Sequence, residues 1–327
     1  MTKIKVGIVG YGNLGKGAEL AIAKQADMQL VGIFTRRDPA ALQVASAGVK
    51  AFPIGAASSM KDQIDVMLLC GGSATDLPEQ GAAFAKDFHI VDSFDTHARI
   101  PEYFARVDAA CKQANTVGII SVGWDPGLFS LQRAYADAIF PDGNSYTFWG
   151  KGVSQGHSDA IRRIKGVKSA IQYTIPIESA MEQVRSGKNP VFHNREKHVR
   201  ACYVVAEAGV DQEQLRCEIQ NMPNYFAEYD TSVTFLSQEE FDKDHGDMPH
   251  GGFVMHSAVT GNGHKQLMEY ALKLDSNPEF TSSVLIAYVR AAYRLAQEGQ
   301  CGAKTVFDIA PAYLSARSAE ALRAELL

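Results

Sequence analysis

The chain has 327 residues, of which 46% are hydrophobic and 21% are charged. This length is typical of two domains rather than one, and the composition is ordinary for a folded globular protein. The formal net charge of −5 argues against a nucleic-acid-binding surface, although it is compatible with a local basic pocket.

The cysteines and the apolar runs indicate a reduced compartment and no membrane segment. The five cysteines show no CxxC spacing, which predicts reduced thiols and no metal site. The opening stretch MTKIKVGIVG enters a predicted strand without the pattern of a signal peptide. No apolar run reaches the ~18 residues that a membrane-spanning helix needs. We therefore expect a cytoplasmic protein.

The first part of the chain, residues 1–121, alternates apolar runs with amphipathic segments. The runs predict strands, and because they are apolar throughout, they predict a parallel sheet covered by helices on both faces. The predicted strands are Ile4–Val9, Leu30–Phe34, Asp65–Cys70, His89–Ser93 and Thr116–Val122. The predicted helices are Leu14–Lys24, Pro39–Ala45, Leu77–Lys86 and Ile100–Gln113.

Residues 122–277 have a different pattern and form the predicted second domain. Gly123-Trp124-Asp125-Pro126-Gly127 predicts a helix with Asp125 as its N-cap and Pro126 at its first position. The segments beyond it predict an α+β domain with a mixed or antiparallel sheet. Its predicted strands are Ser145–Gly150, Ala170–Ile175, Val199–Val205, Thr231–Leu236 and Gly252–Thr260, and its predicted helices are Ile177–Arg185 and Asp211–Gln220.

The C-terminal segment, about 278–327, is predicted to be largely helical. Asn277-Pro278 has the cap-then-proline pattern that begins a helix, and the amphipathic pattern continues through Gln297. Ala316–Leu327 predicts a final helix. We expect this segment to pack back on the first domain.

Gly10-Tyr11-Gly12-Asn13-Leu14-Gly15 has the pattern GxGxxG, between the first predicted strand and the first predicted helix. In that position Gly10 permits a tight turn, Gly12 lets the backbone approach a pyrophosphate, and Gly15 lets helix and strand pack closely. The free N–H groups at the helix start favour phosphate. The pattern predicts a dinucleotide site, the alternative being a glycine-rich turn without function.

The second predicted strand ends in Thr35-Arg36-Arg37 instead of the acid that usually binds a ribose. A carboxylate would repel a 2′-phosphate, whereas the planar guanidinium matches its oxygens. Asp38 precedes Pro39 and is therefore predicted to cap a helix. The arginines favour NADP(H) over NAD(H), the alternative being a solvated basic turn.

Three further stretches follow predicted strands, where ligands of such sheets bind. Cys70-Gly71-Gly72-Ser73-Ala74-Thr75-Asp76 allows close approach of a cofactor, or is an ordinary loop. The stretches DSFDTH and GWDPG place Asp95 and Asp125 near the same edge. Two acids beside a nicotinamide suit a substrate ammonium group, although each acid is equally suited to cap a helix.

The motifs together resemble the meso-diaminopimelate D-dehydrogenase family along essentially the whole chain. The matching motifs are GxGxxG with TRR, CGGSATD, DSFDTH, GWDPG, FWGKGVSQGHSDAIRRI, MPHGG and LDSNPEF. The combination of GVSQGHSDAIRRI after FWG with MPHGG is the specific part of the resemblance.

The resemblance implies an NADP-dependent amino-acid dehydrogenase with a Rossmann-type domain and a substrate-binding and dimerisation domain. The implied reaction is the reversible oxidative deamination of the D-centre of meso-2,6-diaminopimelate to L-2-amino-6-oxopimelate and ammonia, by hydride transfer from Cα to the nicotinamide and hydrolysis of the imine. It belongs to lysine and diaminopimelate biosynthesis, and the members are bacterial homodimers.

The resemblance also implies site residues. Arg200 suits a carboxylate with Thr174 and His250, and Asp95 and Asp125 suit an ammonium group. Asp125, with Asp95, is the candidate catalytic residue, with water as the alternative base. The implied substrate residues are Asp95, Asp125, Trp149, Gln155, Thr174, Arg200, His250 and Asn277. The implied cofactor residues are Gly10, Tyr11, Gly12, Asn13, Leu14, Gly15, Thr35, Arg36, Arg37, Cys70, Gly71, Gly72, Ser73, Ser93, Phe94, Asp95, Val122, Gly123, Trp124, Asp125 and Pro126.

Two other functions are compatible with the sequence. One is an NADPH-dependent dehydrogenase or reductase of another amino acid, a semialdehyde or a sugar; sugar enzymes of this layout usually carry Glu-Lys-Pro, which is absent here. The other is an NADPH-sensing regulator. The polar residues of the second domain argue against a regulator, because a sensor needs no substrate clamp.

Overall fold

The computed structural model describes residues 3–327. Its strands are β1 Ile4–Val9, β2 Met28–Thr35, β3 Lys50–Pro53, β4 Val66–Leu69, β5 His89–Asp92, β6 Val117–Ile119, β7 Asn144–Trp149, β8 Gly152–Val153, β9 Val167–Pro176, β10 His198–Ala206, β11 Asp230–Phe235, β12 His250–Thr260, β13 His264–Leu274 and β14 Gly302–Lys304.

The helices alternate with the strands in the first part of the chain and are more scattered in the second. They are α1 Asn13–Ala23, α2 Leu77–Phe84, α3 Ile100–Ala114, α4 Leu128–Ile139, α5 Gln155–Arg162, α6 Glu178–Arg185, α7 Asn194–Lys197, α8 Gln212–Gln220, α9 Gln238–Asp244, α10 Asn277–Gln297, α11 Pro311–Leu314 and α12 Ala319–Leu326. The 3₁₀ segments are Pro39–Ala41, Ile54–Gln63, His97–Arg99 and Val306–Asp308.

The chain forms two compact units. The first contains the described residues through Leu131 together with Pro278–Leu327, and the second is Gln132–Asn277. The first unit is built on a seven-stranded parallel sheet with the order β14-β6-β5-β4-β1-β2-β3. This is the strand order of a Rossmann-type sheet with β14 added at one edge, which confirms the predicted fold class.

The sheet of the first unit is buried on both faces, as its apolar strands predict. Along β4, Val66 and Leu68 point into one apolar layer, and Met67 and Leu69 point into the other. Helices α1 and α10 cover the first layer, and α2 and α3 cover the second. Burial of apolar side chains on both faces supplies the main stabilisation of this unit.

Helix α10 joins the core of the first unit through an ion pair as well as apolar contacts. Arg290 is buried, and its Nε donates to Asp27 Oδ2 at 2.6 Å. Its guanidinium also donates to the side chain of Gln25 and the carbonyl of Leu314. The hydrogen bond from Arg290 lowers the pKa of Asp27. The pair therefore anchors the segment after the second unit onto the first sheet.

The second unit contains two smaller sheets. One is a mixed four-stranded sheet of order β11-β10-β9-β8, and the other is an antiparallel three-stranded sheet of order β13-β12-β7. Alternate residues of β10 point to opposite faces. Cys202 and Val204 pack with α5 and α8, whereas Ala201 and Tyr203 pack with α9. The predicted mixed or antiparallel sheet is thus confirmed.

Two predicted helices were wrong in their bounds. The segment predicted as a helix from Pro39 to Ala45 is only a 3₁₀ turn ending at Ala41, although Asp38 caps it as predicted, accepting from Ala40 N at 3.0 Å. Helix α4 begins at Leu128 and not at Pro126, because Gly127 has a φ of +133°, outside the helical region. Strands β3, β8, β13 and β14 were not predicted.

We expect Asp27→Asn to lower the free energy of unfolding by about 2 kcal/mol at pH 7, because it removes a charged hydrogen-bond acceptor from buried Arg290. The folded-state pKa of Asp27 lies below its ordinary value of 3.8. The stabilisation is therefore complete above the unfolded pKa and is lost as the pH falls through the folded pKa. Urea unfolding at pH 7 and pH 3 measures this difference.

Asp62→Asn is the matched control, since Asp62 is an exposed aspartate of the same unit. We expect it to leave the unfolding free energy within ~0.5 kcal/mol of that of the unsubstituted protein. An unchanged stability of Asp27→Asn at pH 7, or a loss that stays the same at pH 3, contradicts the anchoring role of the pair.

Candidate functional site

The first unit gathers five loops at one edge of its sheet. They follow strands that are parallel to one another, so their carboxyl ends meet at the same edge. We name them by their main residues: the phosphate loop (10–15), the arginine loop (35–38), the glycine loop (70–76), the aspartate loop (92–97) and the tryptophan loop (121–127). Every cofactor residue predicted from the sequence lies in one of them.

The phosphate loop has the shape that a dinucleotide needs. Gly10 has a φ of +89°, which favours glycine, and a side chain on Gly15 would collide with the carbonyl oxygen of Gly10. A Cβ added to Gly12, by contrast, would have no heavy atom of the described chain within 4 Å, apart from its chain neighbours. The exposed backbone of Gly12 and Asn13 at the start of α1 is therefore open to a pyrophosphate.

The arginine loop presents two guanidinium groups, each of which bonds to a neighbouring loop. The Arg36 side chain is 67% exposed, and its NH2 nitrogen lies 2.8 Å from Asp76 Oδ1 of the glycine loop. The Arg37 guanidinium donates to the carbonyl of Tyr11 in the phosphate loop. Thr35 is buried, and its hydroxyl accepts from Arg37 N at 3.0 Å. Thr35 therefore shapes the turn that presents both arginines.

A buried glutamate that was not predicted supports the phosphate loop. Glu19 on α1 accepts hydrogen bonds from the hydroxyl of Tyr11 and from the backbone of Ala45 and Ser46. Burial raises the pKa of Tyr11 to about 12. Burial also disfavours the charge of Glu19, but its hydrogen bonds outweigh that effect and lower its pKa. Its only signal in the sequence is an acid on the apolar face of a predicted helix.

The glycine loop and the aspartate loop are bonded to each other. Ser73 Oγ accepts from Asp95 N at 2.8 Å and lies 3.3 Å from Thr96 Oγ1. Within the glycine loop, Asp76 accepts from Gly72 N at 3.0 Å. Asp76 thus holds its own loop together while it pairs with Arg36.

The aspartate loop and the tryptophan loop share a buried carboxyl group. Asp92 is fully buried, and its Oδ1 accepts from Phe94 N and from Ser121 N, each at 3.0 Å. Its Oδ2 accepts from the hydroxyl of Tyr103 at 2.6 Å. Burial raises the pKa of Asp92 in spite of these bonds. Asp95, in contrast, is exposed, and Asp125 is partly exposed.

The second unit holds a buried cation. Arg200 of β10 lies opposite Thr174 of β9, and its guanidinium donates to the Thr174 hydroxyl. Arg200 is 7% exposed and lies over the ring of Tyr229, 4.0 Å from its centroid. Among residues 3–327, no carboxylate pairs with it, and its buried Nε has no hydrogen-bond partner. A buried charge without a counter-ion is costly, so this site favours an anion.

Two imidazoles beside Arg200 are held neutral. Burial, followed by the charges of Arg200 and Lys197, lowers the pKa of His198 to about 3. Burial and the charge of Arg200 lower the pKa of His157 to about 4. Trp149 stacks on His198 with ring centroids 5.5 Å apart and donates its backbone N–H to His198 Nε2 at 2.8 Å. Neither imidazole therefore adds charge at neutral pH.

The remaining predicted substrate residues lie around the segment before β12. Gln155 begins α5, and its amide lies 3.3 Å from the sulfur of Met248. Asn277 N donates to the Met248 carbonyl at 3.0 Å. A side chain on Gly152, which pairs with Thr174, would meet the ring of His250. The second unit thus connects His250, through β8, to the strand that bears Thr174.

The structure adds four polar or aromatic residues to the second-unit cluster that sequence reasoning missed: His157, Gln172, His198 and Tyr229. Gln172 is buried with an unpartnered Oε1, and it shares the Thr174 face of β9 because it lies two residues away. That period of two was the one available signal, and it also applies to His198, two residues before Arg200 on β10.

The described part of the chain has no helix long and apolar enough to cross a membrane. Residues 3–327 also contain no group of three or more His, Cys, Asp or Glu side chains placed to hold a metal ion.

Comparison with known proteins identifies the family. Residues 123–276 match the diaminopimelic acid dehydrogenase C-terminal domain. Meso-diaminopimelate D-dehydrogenase of Ureibacillus thermosphaericus is 62% identical over 327 residues, with 100% of both chains covered. A mutant meso-diaminopimelate dehydrogenase of Clostridium tetani E88, solved with diaminopimelate, has a TM-score of 0.94 and 53% identity, covering 99% of this chain and 100% of that one.

An engineered D-amino acid dehydrogenase bound to NADP⁺ has a TM-score of 0.87 and 44% identity, with 100% of both chains covered. These matches confirm the resemblance stated from the motifs. The chain belongs to the meso-diaminopimelate D-dehydrogenase family.

Proposed function

We infer that this chain catalyses the NADP-dependent oxidative deamination of the D-centre of meso-2,6-diaminopimelate, which gives L-2-amino-6-oxopimelate and ammonia. The reaction belongs to lysine biosynthesis. The observation that carries the proposal is Arg200, a buried cation that lacks a carboxylate partner among the described residues of a chain of this family. A dicarboxylate with two ammonium groups supplies the missing anion.

NADP(H) fits the loops of the first unit. The phosphate loop offers open backbone at Gly12 for the pyrophosphate, and the arginine loop offers Arg36 and Arg37 for the 2′-phosphate. The ion pair of Arg36 with Asp76 keeps that guanidinium near the end of β2. When bound, the cofactor supplies the hydride acceptor, and the chain supplies binding, orientation and charge.

In the proposed function, side chains of opposite charge bind the substrate. Arg200, helped by Thr174 and His250, takes a carboxylate, while Asp95 and Asp125 take the ammonium group at the reacting centre. Gln155, Trp149 and Asn277 complete the set by polar contact and by packing on the methylene chain. A substrate held at both ends presents one Cα–H, so stereoselectivity follows from orientation. Asp125 is the proposed proton acceptor, with water as the alternative.

The mutations of the Clostridium tetani enzyme support this assignment. It carries substitutions of a Gln, a Thr, an Arg, a Pro, a His and an Asn, at successive intervals of 19, 26, 49, 1 and 27 residues. In this chain the same residue types occur at the same intervals. They are Gln155, Thr174, Arg200, Pro249, His250 and Asn277. Of these, Pro249 was not predicted from the sequence.

One assay tests the proposed function directly. We expect NADP⁺ reduction with meso-diaminopimelate, and much slower or no reduction with the L,L isomer, D-alanine and sugars. Absence of turnover with the meso isomer by protein that binds NADPH would exclude the proposal. Turnover with a sugar or a semialdehyde instead would favour the alternative reductase.

For the cofactor site, we expect Arg36→Ala to raise the KM for NADP⁺ by at least ~10-fold, because a charge-assisted bond to phosphate is lost. The KM for NAD⁺, which lacks that phosphate, should change by less than ~3-fold. Arg106→Ala is the matched control, since Arg106 is an arginine of the same unit paired with Glu79 at 3.2 Å. Equal increases in the KM for NADP⁺ and for NAD⁺ would show that Arg36 does not select between the two cofactors.

For the substrate site, we expect Arg200→Met to lower kcat/KM for meso-diaminopimelate by at least ~100-fold, as truncation of a buried charge pair costs about 3 kcal/mol. The affinity for NADPH should stay unchanged. Arg216→Met is the matched control, because Arg216 belongs to the same unit and also stacks on an aromatic ring, that of Phe235. Weakened NADPH binding by Arg200→Met would show that Arg200 belongs to the cofactor site.

We also propose that the chain is a cytoplasmic homodimer, as the family resemblance implies. Light scattering after size-exclusion chromatography should give twice the chain mass of 35.5 kDa at micromolar concentration. A mass of one chain under those conditions contradicts the dimer.

A further inference from the structure

Asp92 is a fully buried acid that belongs to none of the predicted contacts with substrate or cofactor. It is the last residue of β5, three residues before exposed Asp95. Burying a carboxyl group is costly unless its oxygens are hydrogen-bonded. The hydrogen bonds of Asp92 therefore indicate its structural role.

The side chain and the main chain of Asp92 both accept hydrogen bonds from the tryptophan loop. Its side-chain Oδ1 accepts from Ser121 N at 3.0 Å, and its main-chain carbonyl accepts from Val122 N at 2.9 Å. The same Oδ1 accepts from Phe94 N of its own loop at 3.0 Å. One oxygen atom thus joins the aspartate loop, which bears Asp95, to the tryptophan loop, which bears Asp125.

The tryptophan loop contains a residue whose backbone conformation requires stabilising contacts. Ser121 has a φ of +58°, in the left-handed region that residues other than glycine rarely adopt. Such a conformation persists where surrounding contacts hold it. The bond from Ser121 N to Asp92 is a contact of this kind, and it lies four residues before Asp125.

The second oxygen of Asp92 is anchored to α3. Tyr103 donates its hydroxyl to Asp92 Oδ2 at 2.6 Å, and its ring stacks on Phe94 with centroids 4.1 Å apart. Tyr103 is itself buried against α2, where a side chain on Gly81 would collide with its hydroxyl. The donor is therefore fixed, and its bond ties the carboxyl group to α3.

We propose that Asp92 is a positioning residue, which sets the aspartate loop against the tryptophan loop and so fixes Asp95 relative to Asp125. The inference rests on the proposed function, in which those two acids hold the reacting ammonium group. Asp92 itself touches neither substrate nor cofactor in this assignment. Its loss misplaces the two acids, and misplacement by about 1 Å is sufficient to cost ~100-fold in rate.

The test compares three substitutions of Asp92. Asp92→Ala and the near-isosteric Asp92→Leu remove both acceptors, so kcat with meso-diaminopimelate should fall by at least ~10-fold. The Kd for NADPH should rise by a smaller factor than kcat falls, because the phosphate loop and the arginine loop, which hold the phosphates, are not bonded to Asp92. Asp92→Asn should restore kcat to within ~3-fold, since its amide oxygen accepts from both backbone N–H groups and its NH₂ donates to Tyr103.

Tyr103→Phe is the matched control, because it removes the bond from α3 and leaves the two loop bonds in place. It should lower Tm without lowering kcat more than ~3-fold. A folded Asp92→Ala or Asp92→Leu protein with the kcat of the unsubstituted enzyme overturns the proposal. An equal loss of kcat in Tyr103→Phe also overturns it, because the role would then be stability alone.

Hydrogen–deuterium exchange gives a readout that does not depend on activity. In Asp92→Ala or Asp92→Leu, amides of residues 92–97 and 121–127 should exchange faster, while those of the phosphate loop stay unchanged. If the unsubstituted protein fails to turn over meso-diaminopimelate, the proposed function falls, and this exchange pattern still decides whether Asp92 joins the two loops. Uniform exchange in all three segments overturns the joining role.

Discussion

The parallel direction of the strands in the first sheet is the constraint on which the site depends. Because neighbouring strands run the same way, their carboxyl ends deliver five loops to one edge. Side-chain bonds then join these loops in series. Arg37 joins the arginine loop to the phosphate loop, and Arg36 with Asp76 joins it to the glycine loop. Ser73 joins the glycine loop to the aspartate loop, and Asp92 joins the aspartate loop to the tryptophan loop. Sheet topology gives the loops their order, and polar bonds give them their shape.

The two units carry charged groups of different kinds. In the proposed function, the first unit provides the exposed guanidinium of Arg36 for a phosphate, and Asp95 and Asp125 for an ammonium group. The second unit carries Arg200, buried and without a carboxylate partner in residues 3–327. Because His157 and His198 are held neutral by burial, the positive charge of that cluster is independent of pH near neutrality. In the proposed function, a substrate carboxylate complements Arg200, and a substrate ammonium group complements Asp95 and Asp125.

The sequence predicted the parts of this fold that arise from local pattern. Strand β1 and helix α10 have the predicted bounds, since one is an apolar run before GxGxxG and the other is a long amphipathic pattern after Asn277-Pro278. The helix predicted from Pro39 stopped after one turn. Strands β3 and β14 are short and lie at the edges of the sheet, so they carried little pattern of their own.

The site was predictable only as far as residue types reveal chemistry. GxGxxG and the two arginines indicate a cofactor directly, and the substrate residues required the family resemblance. The roles of Glu19 and Asp92 were not predictable, because they depend on which acid of a loop or helix faces inward. In DSFD, the first acid is buried and the second is exposed, and that difference arises from the donors that Ser121 and Tyr103 place around Asp92.

We propose that Arg200 binds a substrate carboxylate and that the arginine loop binds the 2′-phosphate of the cofactor. A crystal structure with NADP⁺ and meso-2,6-diaminopimelate tests it most directly. We expect a substrate carboxylate within hydrogen-bond distance of the Arg200 guanidinium, and the 2′-phosphate on Arg36 or Arg37. A substrate carboxylate bound elsewhere, with Arg200 left unpaired, would contradict it.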